Sequence, residues 1–137
     1  MKRKNLFLIV NNLIPLALGL VIYLLCYKST YINTTFENIF GFSLPYFYFD
    51  NTFHRFITCW ACDILWAYSL TFALFICLNT FKNALFISGI IAILFSIGIE
   101  LLQINDIING TFDIVDIFIE VTIIIFAIIK IKRRYAV

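Results

Sequence analysis

Charged residues are scarce in this sequence. They make up 13% of its 137 residues while 63% are apolar, against about 25% and about 45–50% in soluble domains. A small soluble domain exposes too much surface to cover with so few charges. The composition therefore excludes a soluble enzyme, a nucleic-acid-binding protein and a disordered chain. Together with the mean hydropathy of +0.99, it indicates an integral membrane protein.

Histidine is scarcer still and occurs only once, as His54. On a continuous helix, the sequence separation of nine between His54 and Asp63 would put the two side chains on opposite faces. The lone histidine therefore does not combine with that acid as a metal site. No metal is predicted, and the sequence identifies no cofactor.

Long apolar stretches are abundant. A bilayer core about 30 Å thick requires about 20 residues of apolar helix. We predict an all-α, single-domain bundle of four transmembrane helices over residues 1–137. No small-x-small cleavage site follows the first stretch, which favours an uncleaved first helix over a cleaved signal peptide. The predicted spans are 5–27, 56–78, 84–104 and 112–131.

The orientation follows from Lys and Arg, which concentrate on the cytoplasmic side of membrane proteins. Four spans place both ends of the chain on one side, and eight of the ten basic residues then share that side. Only Lys28 and Arg55 lie opposite. We predict cytoplasmic termini and a multi-pass location in the bacterial cytoplasmic membrane. The loop 28–55 then faces outward, and its aromatic stretch 39–49 is expected to lie at the outer interface.

The acids follow a different pattern. Five of the eight acids fall in the outer parts of three predicted helices, where each costs about 2.5–3.5 kcal/mol on insertion scales. We predict that they line one polar cavity open to the outer leaflet, with Gln103 beside them and Arg55 as counter-ion. The five acids are Asp63, Glu100, Asp113, Asp116 and Glu120.

The spacing of these acids supports one cavity. Asp113, Asp116 and Glu120 lie within an arc of about 60° on one helix, and Glu100 shares a face with Gln103. The short turn between the two helices makes them antiparallel neighbours. Such a cluster suits cation or metal binding, proton transfer, or acid–base chemistry on an outer-leaflet substrate. The alternative is a set of neutral acids that only hold the helices together by hydrogen bonds.

One motif is similar to a known family. The pattern Glu100-Leu-Leu-Gln103, a short turn, then Asp113-Ile-Val-Asp116 resembles the VanZ-like family of small multi-pass bacterial membrane proteins, over roughly residues 54–127. Asp63 matches an earlier polar position loosely. The chain departs from the family at Gly110-Thr111, where many members carry Arg. The resemblance implies a cell-envelope protein, with founding members linked to teicoplanin-type glycopeptide resistance, and it implies no defined reaction.

The cysteines suggest a different class of protein. Cys59 and Cys62 form a C-x-x-C near the outer end of the second helix, as in DsbB-like membrane thiol oxidoreductases. Those enzymes also need a second cysteine pair in an outer loop to pass electrons on, and the second outer loop here has no cysteine. Buried inert thiols are the more common meaning of such a pattern.

Three functional hypotheses follow. The first is a VanZ-like envelope protein whose acidic cavity binds or acts on a cationic or lipid-linked ligand. The second is a DsbB-like thiol oxidoreductase, and the third is a non-enzymatic small subunit or scaffold of a larger membrane complex. The lipid bilayer is the expected partner in all three, and no nucleic acid is expected.

Overall fold

The computed structural model describes residues 2–26, 31–42, 45–48, 51–52, 56–104 and 112–135. These residues form five α-helices and no strand, which confirms the predicted all-α class for the described part of the chain. A π-helical turn, Ile57–Ala61, leads directly into the third helix. The helices are α1 (Lys2–Cys26), α2 (Tyr31–Phe40), α3 (Cys62–Leu78), α4 (Ala84–Ile104) and α5 (Ile114–Tyr135).

The long helices follow the apolar stretches closely. The bounds of α4 coincide with the predicted span, and α1 begins at Lys2 instead of residue 5. α5 begins at Ile114 instead of 112 and continues to Tyr135, because its basic last turn remains helical. α2 lies inside the predicted outer loop, where no helix was predicted. The π-helical turn was not predicted either.

The turn between α3 and α4 has a clear local cause. Asn83 adopts a positive φ of 68°, a conformation that Asn tolerates better than most residues. The amide of Ala84 donates to the carbonyl of Phe81 at 3.2 Å, and the amide of Ile87 donates to that of Asn83 at 3.1 Å. The chain therefore reverses direction within a few residues and begins α4.

α3 is the central helix, because it packs against α1, α4 and α5, and α4 also packs against α5. Asn5, Asn79, Asn83 and Tyr135 line one cavity, so the ends of all four long helices meet there. We call this the basic end, since the sequence places most Lys and Arg residues near it. The opposite end, where α4 ends and α5 begins, is the acidic end.

Small residues bring the helices close together. Ala67, Ala92 and Ala127 are fully buried, and a Cβ on Gly89 would approach Ile128 Cδ1 to 2.5 Å. Small residues at such contacts are typical of helix packing in membranes. The larger buried side chains, including Phe72, Ile124 and Ile131, lie in the same interior.

Two of the described helices are long and apolar enough to cross a membrane, judged by length and composition: Asn5–Cys26 and Ala84–Ile104. Core helices of soluble proteins and signal sequences also meet this criterion. In this structure only 6% and 28% of the two apolar windows are buried, so neither is enclosed as a soluble core helix would be.

Candidate functional site

A hydrogen bond to the side chain of Glu100 connects the end of α4 with the start of α5. The backbone N–H of Asp113 donates to Oε2 of Glu100 at 3.2 Å, and Glu100 is only 5% exposed. A carboxylate at a helix N-terminus is favoured by the helix dipole. Glu100 therefore has a structural partner across the segment 105–111, which lies outside the described residues.

Asp113 itself caps α5. Its Oδ1 accepts a hydrogen bond from the backbone N–H of Val115 at 2.8 Å, as an N-cap residue does. Asp113 precedes the first helical residue, Ile114, and its side chain is exposed. It therefore differs from the prediction that placed it within the last helix, on the stripe with Asp116 and Glu120.

Glu120 occupies the interior between α4 and α5. It is 7% exposed, and its neighbour Ser96 on α4 is 1% exposed. Ser96 makes at most a weak hydrogen bond to Glu120, since neither Glu120 Oε2 nor Ser96 Oγ has a well-formed hydrogen bond among the described residues. Glu120 Oε2 is therefore a buried oxygen that the described fold does not fully satisfy.

Asp116 lies one helical turn before Glu120 and is partly buried. Its Oδ1 is also buried without a hydrogen-bond partner in the described chain. The neighbouring side-chain donor is Trp60, which belongs to the π-helical turn. A π-helical turn changes the direction of the side chains around it, and such turns are frequent at functional sites.

Asp63 connects these acids to the central helix. It lies in the first turn of α3 and interacts electrostatically with Glu100, Asp116 and Glu120. The structure therefore brings four acids from three helices into one region. We call Asp63, Glu100, Asp116 and Glu120 the acidic cluster.

Other predicted site residues contribute less. Gln103 is partly buried, one turn beyond Glu100. Arg55, the predicted counter-ion, and His54 lie outside the described residues. Among the residues that are described, no three His, Cys, Asp or Glu side chains are placed to hold one metal ion. The acids of the cluster are therefore close enough to interact but do not converge as metal ligands.

Asp63 also lines a groove between α1 and α3. The groove has a volume of about 360 Å³. Gly19 has no side chain, so the two helices can approach each other closely there. A Cβ at Gly19 would lie 3.6 Å from Leu65 Cβ. Asp63 is the one charged residue in an otherwise largely apolar lining, which consists of Pro15, Leu16, Gly19, Leu20, Tyr23, Cys62, Asp63 and Trp66.

A second polar region lies nearer the basic end. Lys130 Nζ donates to the Tyr68 hydroxyl at 2.9 Å, and that hydroxyl donates to Asn11 Oδ1 at 2.6 Å. Ser69 Oγ donates to Asn12 Oδ1 at 2.6 Å and lies 2.8 Å from the Asn12 carbonyl oxygen. We call these five residues the inner network.

Sequence reasoning missed the inner network. It counted Lys130 only among the basic residues of the cytoplasmic side, whereas its ammonium group is partly buried and lies 5.3 Å from the Tyr68 ring centre. The available signal was the polar pair Asn11-Asn12 within an apolar run, opposite the polar pair Tyr68-Ser69. Adjacent polar pairs on two helices can hydrogen-bond across an interface.

The thiols do not form a described redox pair. Among the described residues, Cys26, Cys62 and Cys77 are not joined in disulfides, and the side chain of Cys59 lies outside the described residues. Cys62 Sγ donates to the Gly19 carbonyl at 3.7 Å, a weak contact between α3 and α1.

Comparison with known proteins adds no relative. No protein-family model, curated protein or solved structure matches this chain. The similarity to the VanZ-like family therefore depends only on the motif residues around Glu100 and Asp116.

Proposed function

We propose that this is a VanZ-like, multi-pass protein of the bacterial cell envelope whose four long helices span the cytoplasmic membrane. In this proposal, the acidic cluster binds a cationic ligand, free or as part of a lipid-linked envelope molecule. The proposal has two parts, the membrane arrangement and the site, and different observations support each.

The membrane arrangement is supported by the apolar outer surface of the bundle. Leu13, Ile14 and Leu18 of α1 are each more than half exposed, and a surface of this kind on a soluble monomer would favour association. The π-helical turn and α3 together form a continuous helical segment over 57–78, which is long enough to span. α5 buries Glu120 and exposes Phe118, so its acid faces the bundle and its aromatic ring faces outward.

The orientation is supported by the distribution of positive charge. α1 begins at the basic end, the 79–83 turn with Lys82 lies there, and α5 ends there with Lys132, Arg133 and Arg134. Positive charge favours the cytoplasmic side. The acidic end then lies toward the outer leaflet, as the cell-envelope assignment requires.

The observation that carries the site is the pair of unsatisfied carboxylate oxygens, Asp116 Oδ1 and Glu120 Oε2. Burying a polar group without a partner is unfavourable, and burying a charge is more so. No Lys or Arg of the described residues is placed at the acidic end. A bound cation would supply the missing hydrogen-bond donors and compensate the negative charge.

The test uses butylammonium as a small probe and the protein in phosphatidylcholine nanodiscs. We expect radiolabelled butylammonium to bind the wild-type protein and Glu120→Gln to weaken this binding by about tenfold or more. A hydrogen bond to a charged group contributes about 1.5–3 kcal/mol, and 1.4 kcal/mol corresponds to a factor of ten. Empty nanodiscs provide the blank for partition into lipid.

The matched control is Glu37→Gln, the same chemical change at an exposed position on α2. This variant should bind butylammonium as the wild type does. The proposal fails if the wild type does not bind the probe, or if Glu120→Gln binds it with unchanged affinity.

A further inference from the structure

We propose that the ligand of the acidic cluster is a long-chain amphiphilic amine whose hydrocarbon chain lies in the groove between α1 and α3. Its ammonium group would lie beside Asp63. This inference rests on the proposed function and adds to it the chemical class of the ligand and its route of access, which is lateral, from the lipid.

The dimensions of the groove suit a chain. Its volume of about 360 Å³ falls within the range of about 300–1,000 Å³ typical of small-molecule sites. Pro15 and Tyr23, at its two ends along α1, are eight residues apart, which corresponds to about 12 Å of helix. The groove is therefore an elongated space that a single hydrocarbon segment can fill.

The position of the groove gives access from the lipid. Leu16 and Leu20, which line it, are 45% and 49% exposed and lie on the outer surface of the bundle. A ligand dissolved in the membrane can therefore enter sideways between α1 and α3. It does not need to pass through the aqueous loops.

Charge determines which amphiphile fits. Asp63 is the only charged residue in the lining, so a neutral chain would leave its carboxylate without compensation, and a fatty acid would place a second negative charge beside it. Asp63 also interacts electrostatically with Glu100, Asp116 and Glu120. An ammonium group at this position would pair with Asp63 and add a positive charge beside the residue that interacts with the other three acids.

Asp63 is thus the residue that belongs to both the groove and the acidic cluster. It follows directly after the π-helical turn and the groove residue Cys62. The groove alone would accept any acyl chain, and the cluster alone would accept any small cation. Their junction at Asp63 selects a molecule that has both parts.

The experiment compares three probes of one chain length in phosphatidylcholine nanodiscs: dodecylammonium, dodecanol and dodecanoate. Part of any advantage of dodecylammonium over butylammonium comes from partition into lipid, so the decisive comparison is between protein variants. Gly19→Leu places a bulky side chain in the groove, and Gly98→Leu is its matched control, since a Cβ at Gly98 meets nothing within 4 Å. Leu20→Trp, at the exposed rim, provides a second blocking variant that does not alter the packing at Leu65.

We expect Gly19→Leu and Leu20→Trp to weaken dodecylammonium binding by about tenfold, a change of 1.4 kcal/mol. Butylammonium has a much shorter chain and should lose less affinity than dodecylammonium in both, and Gly98→Leu should bind both amines as the wild type does. Asp63→Asn should weaken both amines.

The outcomes separate this inference from the proposed function. If butylammonium binding depends on Glu120 but neither blocking variant affects dodecylammonium, the groove assignment is wrong and the acidic site stands. If dodecanol or dodecanoate binds as tightly as dodecylammonium with the same sensitivity to Leu20→Trp, the groove is a general acyl-chain site and the amine assignment is overturned. If neither amine binds the wild type, the proposed function fails as well.

Discussion

The bundle contains two polar regions that differ in how completely their groups are paired. In the inner network, Lys130, Tyr68 and Asn11 form a continuous chain of hydrogen bonds. In the acidic cluster, Asp116 and Glu120 each keep a buried oxygen without a partner in the described chain. Both regions place polar groups inside an apolar bundle, so burial alone does not distinguish them.

The difference indicates two roles for buried polarity. Satisfied polar groups hold α1, α3 and α5 in one arrangement, as hydrogen bonds between membrane helices do. A buried oxygen without a hydrogen-bond partner instead destabilises that arrangement. We therefore expect substitutions in the inner network to affect stability, and substitutions of Asp116 and Glu120 to affect binding.

The largest effect on stability is expected for Tyr68→Phe. The change removes the acceptor for Lys130 and the donor for Asn11 Oδ1 in one step, so the Lys130 ammonium and this oxygen lose those partners in a partly buried position. We expect a loss of about 2 kcal/mol in the free energy of unfolding, measured by titration with sodium dodecyl sulfate in mild detergent. Tyr46→Phe, at an exposed position, is the control for loss of a hydroxyl. Equal stability of Tyr68→Phe and wild type would show that the inner network does not hold the helices together.

An intermediate effect is expected for Glu100→Gln, because Glu100 is the partnered member of the acidic cluster. The amide retains an oxygen to accept from the Asp113 N–H but loses the interaction of a full negative charge with the start of α5. That interaction contributes about 0.3–1 kcal/mol, and more when partly buried. We expect the free energy of unfolding to fall by about 1 kcal/mol, measured by the same titration. If Glu100→Gln is more stable than the wild type, Glu100 belongs with Asp116 and Glu120 instead.

The smallest effect on stability is expected for Glu120→Gln. Replacing this buried carboxylate with a neutral amide removes a desolvation penalty, and the amide keeps an oxygen that can accept from Ser96. We expect the free energy of unfolding, measured without a cationic probe, to be unchanged or to rise by up to about 1 kcal/mol. A clear loss of stability would mean that Glu120 is a structural residue, and the contrast between the two polar regions would disappear.

The long helices could be predicted from sequence because their causes are local. Runs of apolar residues between Asn-rich turns account for α4 and most of α1 and α3. The ends of α1, α4 and α5 differ from the predicted ones by at most four residues, and α3 begins six residues late because the π-helical turn precedes it. α2 was missed because a ten-residue amphipathic helix lies within a stretch interpreted only as an aromatic surface loop.

The arrangement of the site was harder to predict because it depends on contacts between helices. The spacing indicated that Asp113, Asp116 and Glu120 share one stripe, yet Asp113 became an N-cap because its own carboxylate satisfies the backbone at Val115. The position of Trp60 beside Asp116 depends on a π-helical turn, which has no periodic signal in sequence. The pairing of Lys130 with Tyr68 required knowing that α3 and α5 are neighbours.

In the proposed membrane arrangement, the link between Glu100 and Asp113 also bears on how the last helix would be inserted during synthesis. α5 carries Asp116 and Glu120 in its first half and basic residues in its last turn, and it is not among the described helices apolar enough to cross a membrane alone. α4 is apolar, precedes it, and supplies the carboxylate that meets its first amides. The two helices are thus suited to enter the bilayer together as a hairpin. In such a hairpin, the polar side chains of α4 would contact α5 before the acids of α5 are exposed to lipid.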